Sequence, residues 1–362
     1  MDPISHTLVG GALAQTGLGR RTTYATAALI IGANLPDVDA LSYLLGWDAG
    51  LAYRRGWTHG LPAVVVLPFL LTGLLVLWHR WAPAERRENP APNPRRLLTL
   101  SFLAVATHPS LDWLNTYGMR WWMPFDGRWF YGDALFIVDP WMWLTLGGAV
   151  FLAHSRTAVS QIGWAGGAVL ATLLLFAAVP KLVAAKALWL AGLGVLIGLR
   201  ARGVFQSGAR ARALATVALL FALFVIGLWI VSARWARRVA AEMLAERGIE
   251  VERLMVGPVP VTPFVRDVVV ATPDAYRYGT LELRLRPRLN LDPRAIPKPA
   301  ETPVVLKALG SPEIRGFMTW VRFPFVEVEK SDEPRVVYVM DARYTRERTL
   351  GFGGTRVELM KD

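Results

Sequence analysis

Cysteine is absent from all 362 residues of the chain. No disulfide can brace a small domain, and no thiolate can bind a metal or attack a substrate. Histidine and the carboxylates are therefore the only strong metal ligands that the sequence offers. Because the chain has only five histidines, any metal site must be assembled from a small set of identifiable residues.

Acidic side chains are scarce in the first part of the chain. Residues 1–239 hold 10 Asp and Glu against 21 Lys and Arg, whereas residues 240–362 hold 18 against 19. Almost all of the net charge of +12 therefore belongs to the N-terminal part. Arginines in short loops between apolar helices are topology signals and contacts to lipid headgroups. We therefore predict a membrane partner and no nucleic acid.

Long apolar runs are missing after residue 240 but recur before it. Runs of about 16 to 20 residues match the roughly 30 Å of hydrocarbon that a helix must cross at 1.5 Å per residue. They cover residues 61–81, 97–113, 136–154, 162–179, 183–199 and 214–232, with shorter apolar segments at 4–18 and 24–33. Residues 1–239 are thus predicted to form a mainly α, polytopic transmembrane bundle of about eight helices.

Residues 240–362 follow a different pattern. Short alternating runs such as 280–285 and 336–339 are separated by breaks that contain Pro and Gly, which predicts a small, mainly β soluble domain. Polar residues 234–247 are predicted to continue the last helix as a stalk. This domain contains no histidine, so no metal site is predicted in it, and its protein partner stays unknown.

The loops differ in their arginine content when they are assigned alternately to two faces. One face collects twelve arginines, including Arg20, Arg21, Arg95 and Arg96. The positive-inside rule assigns that face to the cytoplasm. The C-terminal domain is then extracytoplasmic, on the same side as most of the acidic residues of the N-terminal part.

Ionisable side chains recur at that outer level. His108 and Asp112 lie one helical turn apart and can reach one ion, although a lone histidine at a helix end is also typical of the membrane interface. Asp37 and Asp39 follow Pro36, where they either form a turn or point the same way as a carboxylate pair. Burying such groups near hydrocarbon costs several kcal/mol unless a partner compensates, and a divalent ion is such a partner.

The full set of predicted metal ligands is His6, Asp37, Asp39, His59, His108 and Asp112. These ligands suit zinc, manganese or another first-row divalent ion. The two remaining histidines, His79 and His154, fall at the cytoplasmic level and are interpreted as interfacial.

These residues stand in four motifs, which read Asp2-Pro3-Ile4-Ser5-His6, Asn34-Leu35-Pro36-Asp37-Val38-Asp39, Arg55-Gly56-Trp57-Thr58-His59, and His108-Pro109-Ser110-Leu111-Asp112 followed by Gly118. Over residues 1–145 the sequence resembles the YdjM-type family of inner-membrane, metal-dependent hydrolases. It departs from that pattern at Gly60, where a Ser often follows the histidine, and at Pro109 inside the helix. The order of ligands is also distantly similar to that of the zinc-dependent phospholipase C and P1-nuclease superfamily.

The resemblance implies a multi-pass protein of the inner membrane with one or two divalent ions, zinc being favoured. It further implies hydrolysis of a phosphate ester in a membrane lipid or lipid-linked substrate. A third ion is not predicted, because no second histidine-and-glutamate motif is present.

Roles follow for the remaining candidates. An ion on His59, His108 and Asp112 would activate water, and Asp37 or Asp39 would bridge a second ion or accept the proton as a catalytic base. Predicted to bind substrate or support the ligands are Arg55, Asn115, Tyr117, Arg120 and Asp139; the two arginines suit phosphate oxygens but equally suit headgroup anchoring.

Two other functions stay open at this point. One is a metal-dependent membrane protein without catalysis, either a transporter or an assembly factor. Residues 162–179 and 183–199 carry almost no polar side chains, which disfavours an ion pathway through the bilayer. The other is a scaffold whose C-terminal domain binds a partner.

Overall fold

The structure of the protein is a computed structural model that describes residues 1–83, 90–178, 182–206, 208–329 and 335–359. It divides into two compact units. The first comprises Met1–Val38, Arg55–Ile230 and Pro260–Thr262, and the second comprises Asp39–Arg54, Val231–Val259 and Pro263–Asp362. The second unit therefore includes a short piece of the N-terminal sequence.

Helices dominate the chain up to residue 246. In order they are α1 Pro3–Gln15, α2 Ala25–Asn34, α3 Trp47–Tyr53, α4 Leu61–Trp81, α5 Pro94–Trp113, α6 Pro140–Met142, α7 Gly148–His154, α8 Ala158–Ala178, α9 Val183–Ala201 and α10 Gly208–Glu246. A 3-10 segment, Leu35–Leu45, follows α2, and a π-helical turn, Trp143–Gly147, joins α6 to α7. Helix α2 ends at Asn34, and Leu35, which keeps helical dihedral angles (φ −57°, ψ −38°), leads into the 3-10 segment that contains Pro36.

Five segments of the described chain are long and apolar enough to cross a membrane. They are Ala25–Leu45, Leu61–Trp81, Ala158–Ala178, Val183–Ala201 and Gly208–Glu246. The predicted count of about eight spanning helices is therefore not confirmed. Helix α1 has 13 residues, about 20 Å at 1.5 Å per residue, and α5 carries Arg95, Arg96, His108 and Asp112 within its 20 residues.

Small residues let the backbones of the first unit approach closely around α2. A Cβ atom on Gly10 of α1 would lie 2.6 Å from the carbonyl oxygen of Leu29, and one on Gly32 would lie 2.9 Å from Cβ of Ala104 on α5. Close approach through small residues is the usual way for helices to pack in lipid. It brings the ends of α1, α2 and α5 together.

The second unit contains two antiparallel sheets, which confirms the predicted C-terminal β domain. One has the order β1-β2-β3-β4 and the other β5-β6-β7. The strands are β1 Arg253–Val259, β2 Thr262–Ala271, β3 Ala275–Glu282, β4 Arg288–Pro297, β5 Pro324–Val328, β6 Arg335–Asp341 and β7 Gly354–Leu359. Along the chain, the segment between β4 and β5 contains α11 Pro303–Leu309, a 3-10 turn Pro312–Ile314 and α12 Arg315–Trp320.

The end of α10 packs against the four-stranded sheet. The helix continues to Glu246, but its buried Ala236, Ala240 and Leu244 join Val268 and Leu281 in one core. The description as a polar stalk is therefore wrong for one face of the helix. The spacing of these three residues places them on one side, and the arginines of the same stretch occupy the others.

Segment Asp39–Arg54 is fixed within the second unit by one aspartate. The carboxylate of Asp48 accepts hydrogen bonds from the backbone N–H groups of Gly316 and Phe317, both at 2.8 Å. Gly316 is required there, since a Cβ atom would lie 1.9 Å from the carbonyl oxygen of Asp48. The N-terminal segment is thus part of the fold of the β unit.

Candidate metal centre

Four of the predicted ligands converge within the first unit. Asp37 follows the end of α2, His59 lies in the turn before α4, and His108 and Asp112 share one face of α5. One ligand atom from each lies within 4.8 Å of every other. These four residues form what we call the donor group.

The distances in the donor group match the size of a single coordination shell. His59 Nε2 lies 3.1 Å from His108 Nε2, and these atoms lie 3.3 and 3.6 Å from Asp112 Oδ2. Asp37 Oδ1 lies 3.9 Å from the first nitrogen and 3.7 Å from the second. Two ligands held about 2.0–2.1 Å from a tetrahedral zinc ion stand about 3.3 Å apart. The residues therefore fit a divalent metal ion.

Hydrogen bonds turn both imidazole rings toward the group. His108 Nδ1 lies 2.7 Å from the carbonyl oxygen of Ala33, which can only accept, so this nitrogen carries the proton. In the neutral ring Nε2 then presents a lone pair to the other ligands. His59 Nδ1 lies 3.0 Å from Thr58 Oγ1. Such support of the distal nitrogen is usual for metal-binding histidines, and the motif contained Thr58 although sequence reasoning gave it no role.

Burial differs among the four residues. The side chains of His59 and His108 are 0% exposed and that of Asp112 is 1% exposed, whereas that of Asp37 is 17% exposed. Asp37 is therefore the member of the donor group whose side chain is most exposed to solvent.

His6 lies on the opposite side of Asp112. Its ring stacks on that of His108 with centroids 3.7 Å apart, and its Nε2 lies 3.3 Å from Asp112 Oδ1. The amino nitrogen of Met1 contacts the same oxygen. The two oxygens of Asp112 thus face different histidines. Among the residues that the structure describes, no hydrogen-bond partner lies at His6 Nδ1.

Arg55 is turned toward Asp112. Its Nε lies 2.8 Å from Asp112 Oδ2 and its Nη2 donates to Oδ1 at 3.1 Å. Nη1 donates to Asn115 Oδ1 at 2.9 Å and to the carbonyl of Gly118 at 3.2 Å. The guanidinium also lies 4.5 Å above the ring of Tyr117. It therefore offsets negative charge at the donor group and fixes the direction of one carboxylate.

Asn115 joins this arginine to the turn after α5. Its Oδ1 also accepts the backbone N–H groups of Tyr117 at 2.9 Å and Gly118 at 3.3 Å. Gly118 has φ +80°, a conformation that favours glycine. Asn115 and Tyr117 were predicted to support the ligands or bind substrate, and the structure places both against Arg55.

Two glycines of the Arg55-to-Gly60 turn lie close to the segment that follows α5. A Cβ atom on Gly56 would lie 2.6 Å from Nη2 of Arg120, and one on Gly60 would lie 2.6 Å from the carbonyl oxygen of Met123. The Gly60 departure from the family pattern therefore has a local steric reason. Arg120 is buried and lies 5.0 Å from the centre of the Trp129 ring.

Two further candidates lie elsewhere in the described chain. Asp39 pairs with Arg54 in the second unit and is not a member of the donor group. Asp139 accepts hydrogen bonds from the backbone N–H groups of Trp141 at 2.9 Å and Met142 at 3.0 Å, which makes it the N-cap of α6. The catalytic role of Asp39 and the substrate role of Asp139 stay predictions.

Comparison with known protein families finds a match to the part of the chain that contains the donor group. The sequence model of the family described as YdjM inner membrane protein matches residues 1–187, about half of the chain. A Bacillus subtilis (strain 168) protein described as "Uncharacterized protein YfhP" is 26% identical over 175 residues, which cover 46% of this chain and 47% of the relative. The chain therefore spans about half the length of that relative. No solved structure matches.

Proposed function

Because the chain belongs to the YdjM inner membrane protein family, we propose that it is a membrane-bound hydrolase that depends on a divalent metal ion. The family and the five apolar helices support an inner-membrane, multi-pass protein. The observation that carries the proposal is the donor group itself, with four ligand atoms within 4.8 Å of one another and three of the four residues buried.

The donor group places several polar ligand atoms around one buried space. His108 Nε2 presents a lone pair to His59 Nε2 at 3.1 Å, and two carboxylates face the same space. Arg55 Nε contacts the oxygen of Asp112 that also faces His59 and His108, and the amino group of Met1 contacts the other oxygen. Burying several acceptors together is costly unless a cation satisfies them. Zinc is the proposed ion, because two imidazoles and two carboxylates in this spacing suit it.

When bound, the ion supplies activated water at neutral pH and a positive charge opposite the ester oxygens. Asp37 is the proposed base, because its carboxylate is the part of the donor group that solvent reaches. As the water oxygen bonds to phosphorus and the bond from phosphorus to the leaving oxygen breaks, a carboxylate oxygen of Asp37 would take the proton from the water and pass it to the leaving oxygen. Arg55 keeps Asp112 in place, and Arg120 is the proposed clamp for the anionic substrate.

His6 is the proposed ligand for a second ion, or a support for the first. Its Nε2 faces Asp112 Oδ1, whereas the donor group uses Oδ2. That oxygen also contacts the amino group of Met1 and Nη2 of Arg55, so a second ion held by His6 would have to displace one of them. Loss of one of two bound ions in His6→Ala, with the other retained, would support a ligand role for His6.

A phosphate ester in a lipid or lipid-linked molecule is the proposed substrate. The membrane setting of the donor group, the buried Arg120 and the distant similarity of the ligand order to phospholipase C enzymes support this choice. Purified protein should hydrolyse such esters, lose activity on chelation and regain it when zinc is returned. His79→Ala is the matched control, because this histidine is not in the donor group. Its Nδ1 lies 3.4 Å from the hydroxyl of Tyr24 instead.

The non-enzymatic alternative predicts a different result. A transporter or assembly factor would hold its full complement of metal yet show no metal-dependent turnover across a broad set of lipid phosphate esters. Asp37→Asn would then leave the function unchanged as long as the metal stays bound. Turnover that falls in Asp37→Asn with the metal retained would support the hydrolase.

The orientation is also part of the proposal, with the donor group and the C-terminal domain outside the cytoplasm. The chain has no cysteine, so single cysteines at the exposed Ala91 and Glu301 can report it. An impermeant reagent on intact cells should label position 301 and spare position 91. The reverse pattern would place the donor group on the cytoplasmic side.

A further inference from the structure

The loop between β3 and β4 combines a fully exposed leucine with several arginines. Leu285 is 106% exposed, the largest value among the exposed large hydrophobic residues of the described chain. Arg284, Arg286 and Arg288 surround it and are all exposed. Arg284 Nε lies 3.1 Å from Glu282 Oε2, whereas Arg286 and Arg288 make no ion pair with any residue that the structure describes. An exposed leucine therefore stands beside two arginines that have no ion-pair partner among the described residues.

Hydrogen bonds connect this loop to one point on α10. The backbone N–H of Leu283 donates to the carbonyl of Phe264 at 2.7 Å. Phe264 is itself 62% exposed and follows Pro263, whose carbonyl accepts the hydroxyl of Ser232 at 3.0 Å. All of these residues belong to the second unit. The start of the loop is therefore linked to Ser232 of α10 by two hydrogen bonds through the adjacent residues Pro263 and Phe264.

Residue 232 is where α10 leaves its apolar stretch. The run of residues 214–232 carries no charge, and Arg234, Arg237 and Arg238 follow directly. Trp235 is 47% exposed beside them, and tryptophan prefers the level of the lipid headgroups. The sequence of this helix thus marks the bilayer surface close to the point to which the loop is connected.

We propose that residues 284–288 bind the surface of an anionic phospholipid bilayer, with Leu285 entering the interface and Arg286 and Arg288 contacting phosphate groups. Anionic headgroups attract juxtamembrane arginines over about one Debye length, and an apolar residue at the tip adds buried area. The contact fixes the β unit at the membrane. This proposal is independent of the metal centre and of the face on which the β unit lies.

The test uses the full-length protein with one fluorescent label. Leu285→Cys is labelled with an environment-sensitive fluorophore, and the protein is reconstituted in nanodiscs of phosphatidylcholine with or without phosphatidylglycerol. Quenching by lipids that carry a spin label near the headgroup measures contact. Leu306→Cys is the matched control, since Leu306 is a 54% exposed leucine on α11.

We expect strong quenching at position 285 in anionic nanodiscs, weaker quenching without the anionic lipid, and little at position 306. Arg286→Ala with Arg288→Ala should lower the ratio of contacting to free label by about fivefold for each arginine at low salt. The corresponding double lysine variant should keep most of the contact. Equal quenching at positions 285 and 306 would overturn the proposal. If the label at position 285 is shielded from water to the same extent at every lipid charge and salt concentration, the proposal is also overturned. That result would indicate a protein partner.

Discussion

Each unit buries an aspartate against an arginine, and the two pairs differ in what surrounds them. In the second unit Asp341 accepts the backbone N–H groups of Arg322 and Arg343, both at 2.9 Å, and Arg343 Nη2 at 2.7 Å. Every one of these neighbours donates a hydrogen bond to the carboxylate. In the first unit Asp112 faces Arg55, but also histidine nitrogens at 3.3 to 3.6 Å. The Asp341 pair in the second unit finds its hydrogen-bond donors within the chain. The Asp112 pair in the first unit lies in a group that a bound cation would stabilise.

Removing the acid of the self-contained pair should have the largest effect on stability. Asp341→Ala leaves the buried guanidinium of Arg343 without its carboxylate, which costs about 3–5 kcal/mol of unfolding free energy. A urea titration of the purified protein in detergent measures this loss. The amount of bound metal should stay unchanged in the molecules that remain folded, and a loss of metal there would break the distinction between the two sites.

Changing the arginine at the donor group should alter metal affinity more than stability. Arg55→Ala should weaken metal binding by about 10- to 100-fold, the usual effect of removing a group that orients a ligand. Arg55→Lys should fall between, because lysine keeps the charge but cannot make the two-pronged contact. Competition with a chelator of known affinity measures both. Arg128→Ala is the control, since that side chain is 75% exposed; equal affinities for all four proteins would remove Arg55 from the site.

A methyl group at Gly60 should disturb the first unit by crowding alone. Its Cβ would lie 2.6 Å from the carbonyl oxygen of Met123, and overpacking of this kind costs about 1–3 kcal/mol. Gly73 on α4 has no atom within 4 Å of its Cβ position, so Gly73→Ala should not lower the melting temperature. The two variants can be compared in one thermal scan, and an unperturbed Gly60→Ala would show that this turn can relax.

The smallest effect is expected at Asp139. Variants of this residue distinguish a carboxylate that caps a helix from one that binds substrate. Asp139→Ala should lose about 1 kcal/mol of stability with its N-cap, whereas Asp139→Asn should lose little, because asparagine caps equally well. Melting temperatures in detergent measure both. A loss of hydrolysis in Asp139→Asn, at normal stability, would instead support the predicted role in substrate binding.

The sequence predicted the donor group where local geometry or motif order carries the information. The spacing of His108 and Asp112 is a property of one helix, and the four motifs singled out Asp37 and His59 although they lie far apart along the chain. The contact of Arg55 with Asp112 was not predictable in this way. It depends on the left-handed backbone of Arg55, with φ +50°, and on the turn after α5.

Two features of the fold were hidden by distance or by charge. The hydrogen bonds from Gly316 and Phe317 to Asp48 join residues 268 and 269 positions apart, and no local pattern announces such a contact. The buried face of α10 does have a local signal in Ala236, Ala240 and Leu244. Arginines on the other faces of the same stretch obscured it, so that a helix packed on a sheet was interpreted as a polar stalk.

The metal content of the purified protein tests the central claim most directly. Elemental analysis should find at least one divalent ion per chain, with zinc expected, and less than about a tenth of that in His108→Ala, since each ligand supplies a direct bond. Asp341→Asn is the matched control and should keep the full amount. Wild-type protein that binds no divalent metal, even after incubation with zinc, would contradict the account, as would full retention of metal by His59→Ala, His108→Ala and Asp112→Ala.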